Sequence, residues 1–194
     1  MRVEEIPARE RILTAAEELF ADTGFEATPT SRIAERAGVP KGLVHYYFKR
    51  KPDLLVALVE RFPDERIDVS GVVVDGDVVA SLRALLAELD RRREESLMLS
   101  NLLYREADTH HTVRDALQDR FRKLVGLIRK VIMTAGSAVQ RKADVDSAAE
   151  LLALAVSYQH SVARHATEPE LGRVTMEREL AFIADALSLG AGAP

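Results

Sequence analysis

Basic and hydroxyl side chains are concentrated between Thr28 and Lys51, where they could bind an anionic polymer. From Thr28 to Pro52, six bases stand against one acid, Glu35, a local charge of +5 in a chain whose net charge is −4. The bases are Arg32, Arg36, Lys41, Lys49, Arg50 and Lys51. A basic segment on an acidic protein indicates a site for a polyanion. A solvated helical surface would carry the same charge, so the spacing of the residues has to decide between the two.

The spacing predicts two short helices joined by a tight turn. Thr28 can cap the first helix, with Pro29 at its first position. Gly38 stands where a chain leaves a helix in a left-handed conformation, and Pro40 opens the next helix. Val44 and Phe48 are four residues apart and share the inward face of this helix. The residues that then face outward are Lys41, Leu43, His45 and Tyr46. Such a pair is a helix-turn-helix, whose second helix can enter the major groove of DNA.

The stretch AGVPKGLVHYYFKRKPDLL resembles the signature of the tetracycline-repressor family of bacterial regulators. The resemblance is specific over about Ile12 to Leu58, and beyond it only helix count and chain length match. It implies an all-α protein with a three-helix DNA-binding head, residues 1–52, and a helical effector-binding and dimerisation domain, residues 53–194. Leu43, His45 and Arg50 depart from the family pattern. The first two face the DNA, so relatives do not supply the operator sequence.

We expect two classes of DNA contact from the head. Phosphate contacts position a protein on DNA, whereas contacts to base edges specify the sequence. Phosphate contacts are predicted for Thr28, Thr30, Ser31, Tyr47 and Lys51. Base-edge contacts are predicted for Lys41, Leu43 and His45, since Lys can donate to guanine and Leu can pack on a thymine methyl group. Gly42 should allow close backbone approach, and Tyr46 faces the same side.

Helical periodicity continues along the rest of the chain and predicts about nine helices without a strand. The first should end at Gly24. The fourth, from Asp53 to Phe62, should join the head to the body, and Asp77 should cap the fifth. Asp144 and Asp146 should precede the eighth.

Composition and motifs narrow the function further. The chain has no Cys, which excludes disulfides and thiol catalysis. Because no nucleotide-binding loop, nucleophile elbow or zinc-protease motif is present, we expect no enzyme, no metal and no cofactor. No apolar run approaches the ~18 residues that span a bilayer, and the N-terminus lacks an apolar signal core. We therefore expect a cytoplasmic protein without a membrane partner.

The eighth helix is apolar nearly all round from Leu151 to Val156, which predicts burial on both sides. Both sides could complete a monomer core, or one side could face a second subunit. The family resemblance implies a homodimer through about residues 146–165 and 175–189.

The helical body is expected to hold a small apolar or amphipathic effector. Pockets between bundle helices are mostly apolar with a few orienting polar atoms, although each candidate could equally be a core residue. The resemblance implies a pocket in this region, for which the candidate residues are Leu86, Met98, Tyr104, Phe121 and Tyr158.

Together these features predict a transcriptional regulator. The leading hypothesis is a repressor that binds a palindromic operator as a dimer and is released by the effector. The alternative is a helical ligand-binding or scaffold protein whose head has lost DNA binding, and the departures at Leu43 and His45 favour that alternative.

Overall fold

The computed structural model describes residues 6–61, 67–95, 97–136, 142–163 and 176–189. Nine α-helices occur among these residues, in the regions where the apolar periodicity predicts them. The helices are α1 (Ala8–Thr23), α2 (Thr30–Arg36), α3 (Lys41–Tyr47), α4 (Lys51–Val59), α5 (Val78–Glu95), α6 (Leu97–Glu106), α7 (His111–Ala135), α8 (Lys142–Ala163) and α9 (Glu177–Leu189). A short 3-10 turn, Val69–Gly71, precedes α5. No strand occurs among the described residues, and the all-α prediction is confirmed.

The chain forms two compact units. The first unit comprises Met1–Phe62 and Ser96–Arg120, and the second comprises Pro63–Glu95 and Phe121–Pro194. The first unit therefore holds α1–α4, α6 and the beginning of α7, and the second holds α5, the rest of α7, α8 and α9. The predicted boundary at residue 52 separates the residues expected to bind DNA from those expected to bind the effector and form the dimer. That boundary stays a prediction.

Helix α1 is the centre of the first unit. Its apolar residues recur every three to four positions and are buried, among them Ile12, Leu13 and Phe20. Helices α2, α3, α4 and α6 all pack against it. The head and the α6–α7 segment consequently share one apolar cluster, which includes Leu103 and Val113.

Ion pairs tie the C-terminal end of α4 to α1. Arg61 lies 3.3 Å from Glu17 and 3.6 Å from Glu10, and it donates to the Thr14 hydroxyl at 3.2 Å. Burial raises the pKa of Glu17, and the nearby Arg61 guanidinium opposes that rise. The fourth helix was expected to run from Asp53 to Phe62, and these bounds were wrong, since α4 begins at Lys51 and ends at Val59.

The second unit is built around α5, α8 and α9, with α9 packed against both of the others. Arg83 of α5 donates to both carboxylate oxygens of Glu177 of α9, at 2.7 and 2.5 Å, and this lowers the pKa of Glu177. Asp77 accepts from the Ala80 amide at 2.8 Å, which is the capping contact expected there. The expectation that Asp144 and Asp146 precede the eighth helix was wrong, since α8 begins at Lys142. Among the described helices, none is both long and apolar enough to cross a membrane.

Candidate nucleic-acid interface

A hydrogen-bonded turn joins α2 to α3. The Gly38 amide donates to the Glu35 carbonyl at 3.1 Å, and the Val39 amide donates to the Ala34 carbonyl at 3.0 Å. This pairing satisfies the last carbonyls of α2, and it requires a left-handed residue between helix and loop. Gly38 supplies it, with φ of 63°. The turn therefore fixes the direction in which α3 leaves α2.

Thr28 has a structural position that the sequence did not indicate. Its side chain is fully buried, and its hydroxyl lies 2.7 Å from the Gly24 carbonyl and 2.8 Å from the Thr23 hydroxyl. Helix α2 begins at Thr30 with Pro29 at the cap, so Thr28 does not cap it. The hydroxyl closes the turn between α1 and α2 and has no exposed surface with which to meet a phosphate.

Helix α3 has one buried face and one open face. Val44 is fully buried and Phe48, just beyond the helix, is 4% exposed, as their spacing predicts. Lys41, Gly42 and His45 are exposed, and Leu43 is half-buried. A Cβ atom added at Gly42 would meet no atom of the described residues within 4 Å. The fold thus does not need a glycine there, and the open backbone is available to a partner.

Two tyrosines project from the same helix. Tyr46 is 77% exposed and Tyr47 is 41% exposed, and their ring centroids are 5.2 Å apart in an edge-to-face arrangement. Aromatic rings with a polar tip suit surfaces that meet a partner. At the start of α2, Ser31 is exposed and Thr30 is half-buried.

The six bases of the segment differ in how much of their charge is compensated. Arg36 pairs with Glu18 of α1 at 2.8 Å, and Arg50 pairs with Asp53 at 3.2 Å. Three other bases are exposed and have no ion pair within the described part of the chain: Arg32, Lys41 and Lys49. Exposed pairs are weak, so the surface of α2 and α3 keeps a positive charge that a polyanion can neutralise.

Lys51, at the start of α4, is held by two contacts. Its ammonium nitrogen lies 4.3 Å from the centroid of the Phe25 ring, and it donates to the Glu26 carbonyl at 3.1 Å. An ammonium group has three donors, so two remain for an anion. Sequence reasoning missed the contact with Phe25, because no local pattern connects residues so far apart. Arg32 was also missed as a phosphate contact, although it lies beside the predicted contacts and is exposed without an ion pair among the described residues.

The candidate effector residues are divided between the two units. Leu86 and Phe121 pack against one apolar cluster in the second unit. Tyr158 of α8 is 71% exposed, and Tyr104 lies in the first unit. Met98 lies in α6, but its side chain is outside the described part of the chain. Two of the five residues thus pack against the same apolar cluster.

Helix α8 has a buried and an exposed apolar side. Leu152 and Val156 are buried, whereas Leu151 is 62% and Leu154 is 56% exposed. Residues three and seven positions apart lie on one side of a helix, so Leu151, Leu154 and Tyr158 form an exposed stripe. Phe182 of α9 is 72% exposed as well. The predicted interface residues 164, 165 and 175 lie outside the described residues.

Known proteins are similar to this chain in the region that contains the helix-turn-helix. The model of a family described as bacterial regulatory proteins, tetR family, matches residues 12–58. The transcriptional activator FasR of Mycolicibacterium smegmatis is 41% identical over 64 residues, 33% of this chain and 28% of that protein. The transcriptional repressor KstR of Rhodococcus jostii is 34% identical over 99 residues, 50% of this chain and 46% of that protein. The chain thus spans less than half the length of these curated relatives.

A solved structure extends the likeness to nearly the whole fold. The complex of SmeT with triclosan has a TM-score of 0.68 and 26% identity, over 96% of this chain and 95% of that one. Likeness in sequence is therefore concentrated in the helix-turn-helix, and likeness in fold covers the other helices.

Proposed function

Because the chain belongs to the tetR family of bacterial regulatory proteins, we propose that it is a cytoplasmic transcriptional regulator whose head binds an operator in double-stranded DNA. The observation that carries the proposal is the exposed face of α3. It combines an open backbone at Gly42 with the positive charge of Lys41, which has no ion pair among the described residues. The opposite face of the helix is buried at Val44.

The exposure of each side chain changes the set of residues that we propose as phosphate contacts. Thr30, Ser31, Tyr47 and Lys51 are kept. Thr28 is dropped because its hydroxyl is buried and occupied. Arg32 and Lys49 are added, because both are exposed and neither has an ion pair in the part of the chain that the structure describes. Each phosphate neutralised by such a base releases counterions, so affinity for DNA should fall steeply with salt.

The proposed base-edge contacts are Lys41, Leu43 and His45. Lys41 and His45 are exposed on the open face of α3, and Tyr46 lies beside them. Leu43 is half-buried, so it would present only part of its side chain to a thymine methyl group.

A homodimer is proposed for the form that binds DNA. The stripe of Leu151, Leu154 and Tyr158, with Phe182 of α9, supports it, since a contiguous apolar patch at a surface marks an interface. A two-fold dimer matches a palindromic operator with half-sites roughly 34 Å, or a multiple of one helical turn, apart. Engaging both heads at once raises the overall affinity by effective concentration.

Release by a small apolar or amphipathic effector is proposed for the helical domain. SmeT, which shares the fold, was solved with triclosan. Leu86 and Phe121 both pack against one apolar cluster of the second unit and are the candidates for lining a pocket there. The effector must bind the DNA-incompetent conformation better than the competent one, because equal affinity shifts nothing. Repression is the proposed output, by analogy with the repressor KstR of Rhodococcus jostii.

The decisive experiment is fluorescence anisotropy with labelled DNA from the region upstream of the gene. Lys41→Ala should weaken operator binding by about 1–3 kcal/mol, roughly 5- to 150-fold. The matched control is Lys130→Ala, which removes an exposed lysine from α7 in the second unit and should bind like the wild type. Wild-type protein that binds no DNA at low salt would favour a ligand-binding or scaffold role.

A further inference from the structure

Phe25 is the point in the first unit where three segments meet. It is 3% exposed. Its ring lies edge-to-face with Phe20 of α1, at 5.0 Å between centroids, and with His110, at 4.9 Å. On its face it carries the ammonium of Lys51 at 4.3 Å. A buried ring thus connects the α6–α7 turn with a proposed phosphate contact of the head.

The α6–α7 turn holds His110 in place. Arg114, one turn into α7, donates to the Ala107 carbonyl at 3.0 and 3.2 Å and to the Asp108 carbonyl at 3.1 Å. The His110 amide donates to the Glu106 carbonyl at 2.9 Å. The side chain of His110 is only 18% exposed. Its ring is therefore presented to Phe25 by a turn that is itself cross-linked.

The Nε2 atom of the His110 ring is buried and has no hydrogen-bond partner among the described residues. Nε2 lies 3.7 Å from a carboxylate oxygen of Glu26 and 3.9 Å from one of Glu106. Both distances exceed those of a hydrogen bond. The ring contact with Phe25, in contrast, has the perpendicular geometry that aromatic pairs prefer, with an angle of 73° between planes.

We propose that His110 is a positioning residue for DNA binding: its ring fixes Phe25, and Phe25 holds the ammonium of Lys51 where it meets a phosphate. The proposal rests on the proposed function of the head. A lysine side chain loses considerable rotamer freedom when it is ordered. A ring face and the Glu26 carbonyl order Lys51 before the DNA arrives, and two of its donors stay open.

The test is a double-mutant cycle on operator affinity with the full chain. His110→Ala should weaken binding by about two- to tenfold, the range expected for one aromatic pair. His110→Phe, which keeps the edge-to-face contact, should restore it. His111→Ala is the matched control, since it removes the exposed histidine next in sequence and should have no effect.

The cycle separates positioning from general structural support. In a Lys51→Ala background, His110→Ala should cause no further loss, because the group it positions is gone. Losses that simply add would overturn the proposal, since they would show that His110 acts on the whole head. His110→Leu, similar in volume but without an aromatic edge, replaces His110→Ala if the latter does not fold.

A second readout needs no DNA. In the free protein, the methylene protons of Lys51 next to the ammonium should be shifted upfield by the Phe25 ring, and His110→Ala should reduce that shift. An unchanged Lys51 signal in His110→Ala would overturn the positioning role. If the wild type bound no DNA, the proposed function would fail, and the Lys51 signal would still decide whether His110 positions this side chain.

Discussion

Helices α3 and α8 each bury one apolar side, but their exposed sides are opposite kinds of surface. Each helix buries one apolar side, with Val44 on α3 and Leu152 on α8. On its open side, α3 carries a lysine, a histidine and two tyrosines, whereas α8 carries Leu151 and Leu154. Solvated cations are stable in water and attract a polyanion, while exposed leucines gain free energy only when a partner covers them.

An apolar residue on a helix can stabilise either the subunit or a contact with a partner. Leucines adjacent in sequence on α8 differ completely in exposure, 1% for Leu152 and 62% for Leu151. The first stabilises the subunit, and we propose that the second stabilises the dimer. Substitutions at neighbouring positions should therefore have different consequences.

The largest expected effect comes from a charge in the core. Leu152→Glu places a carboxylate at a position that is 1% exposed, which should cost several kcal/mol of unfolding free energy because a buried charge without a partner is strongly disfavoured. Chemical denaturation followed by circular dichroism measures it. The matched variant Leu151→Glu should leave the fold intact but shift the dimer to monomer in sedimentation. If both variants sedimented and melted like the wild type, the assignment of the two sides would be wrong.

A second prediction concerns the buried hydroxyl of the head. Thr28→Val keeps the shape of the side chain but leaves the Gly24 carbonyl without its 2.7 Å contact. We expect a loss of about 1–3 kcal/mol in unfolding free energy, the cost of an unsatisfied buried polar group. The salt dependence of DNA binding, measured by anisotropy at several salt concentrations, should not change. A slope reduced by about one would instead indicate a lost phosphate contact.

Gly42→Ala should affect stability and DNA binding in opposite directions. Alanine favours the helix by about 0.5–1 kcal/mol over glycine, and the new methyl group meets no described atom within 4 Å. The melting temperature should rise slightly. Operator affinity should fall, because the methyl group would stand between the α3 backbone and the DNA. Gly126→Ala in α7, where a Cβ is equally unobstructed, is the control. Unchanged affinity would mean that α3 does not approach DNA at Gly42.

The smallest expected effect is a pH dependence in α5. Arg91 and Arg92 donate to Glu88 and lower its pKa from 4.5 to about 2. Because the pKa is lowered in the folded state, the stabilisation is present above about pH 4.5 and is lost as the pH falls towards 2. The difference in unfolding free energy between wild type and Glu88→Gln should shrink over that range. The control is Glu150→Gln on α8, an exposed carboxylate without an ion pair among the described residues.

Much of the fold could be read from local patterns. Apolar residues at helical spacing located all nine helices, since each helix buries one side. The bounds were less accurate: α4 begins and ends earlier than predicted, and at the beginning of α8 Asp144 and Asp146 lie inside the helix instead of before it. Carboxylates are favourable both at a cap and in the first turn, so composition alone does not separate the two positions.

The sequence by itself determined the helix-turn-helix and which face of its second helix is buried. The turn depends on Gly38, and the buried face of α3 depends on residues four apart, which are relations within a few positions of the chain. Family likeness is concentrated there for the same reason, since residues 12–58 carry the matching pattern. Local hydrogen bonds and side-chain periodicity suffice to specify such an element.

Only the tertiary structure decided which side chains are already in contact with other parts of the chain. It buried the hydroxyl of Thr28, placed Lys51 on the ring of Phe25 and brought His110 to that ring from the α6–α7 turn. It also divided the leucines of α8 into a covered and an uncovered side. These contacts join segments far apart in sequence, and no local period encodes them. They follow from how helices pack around a shared core, where the volume and shape of every side chain act together.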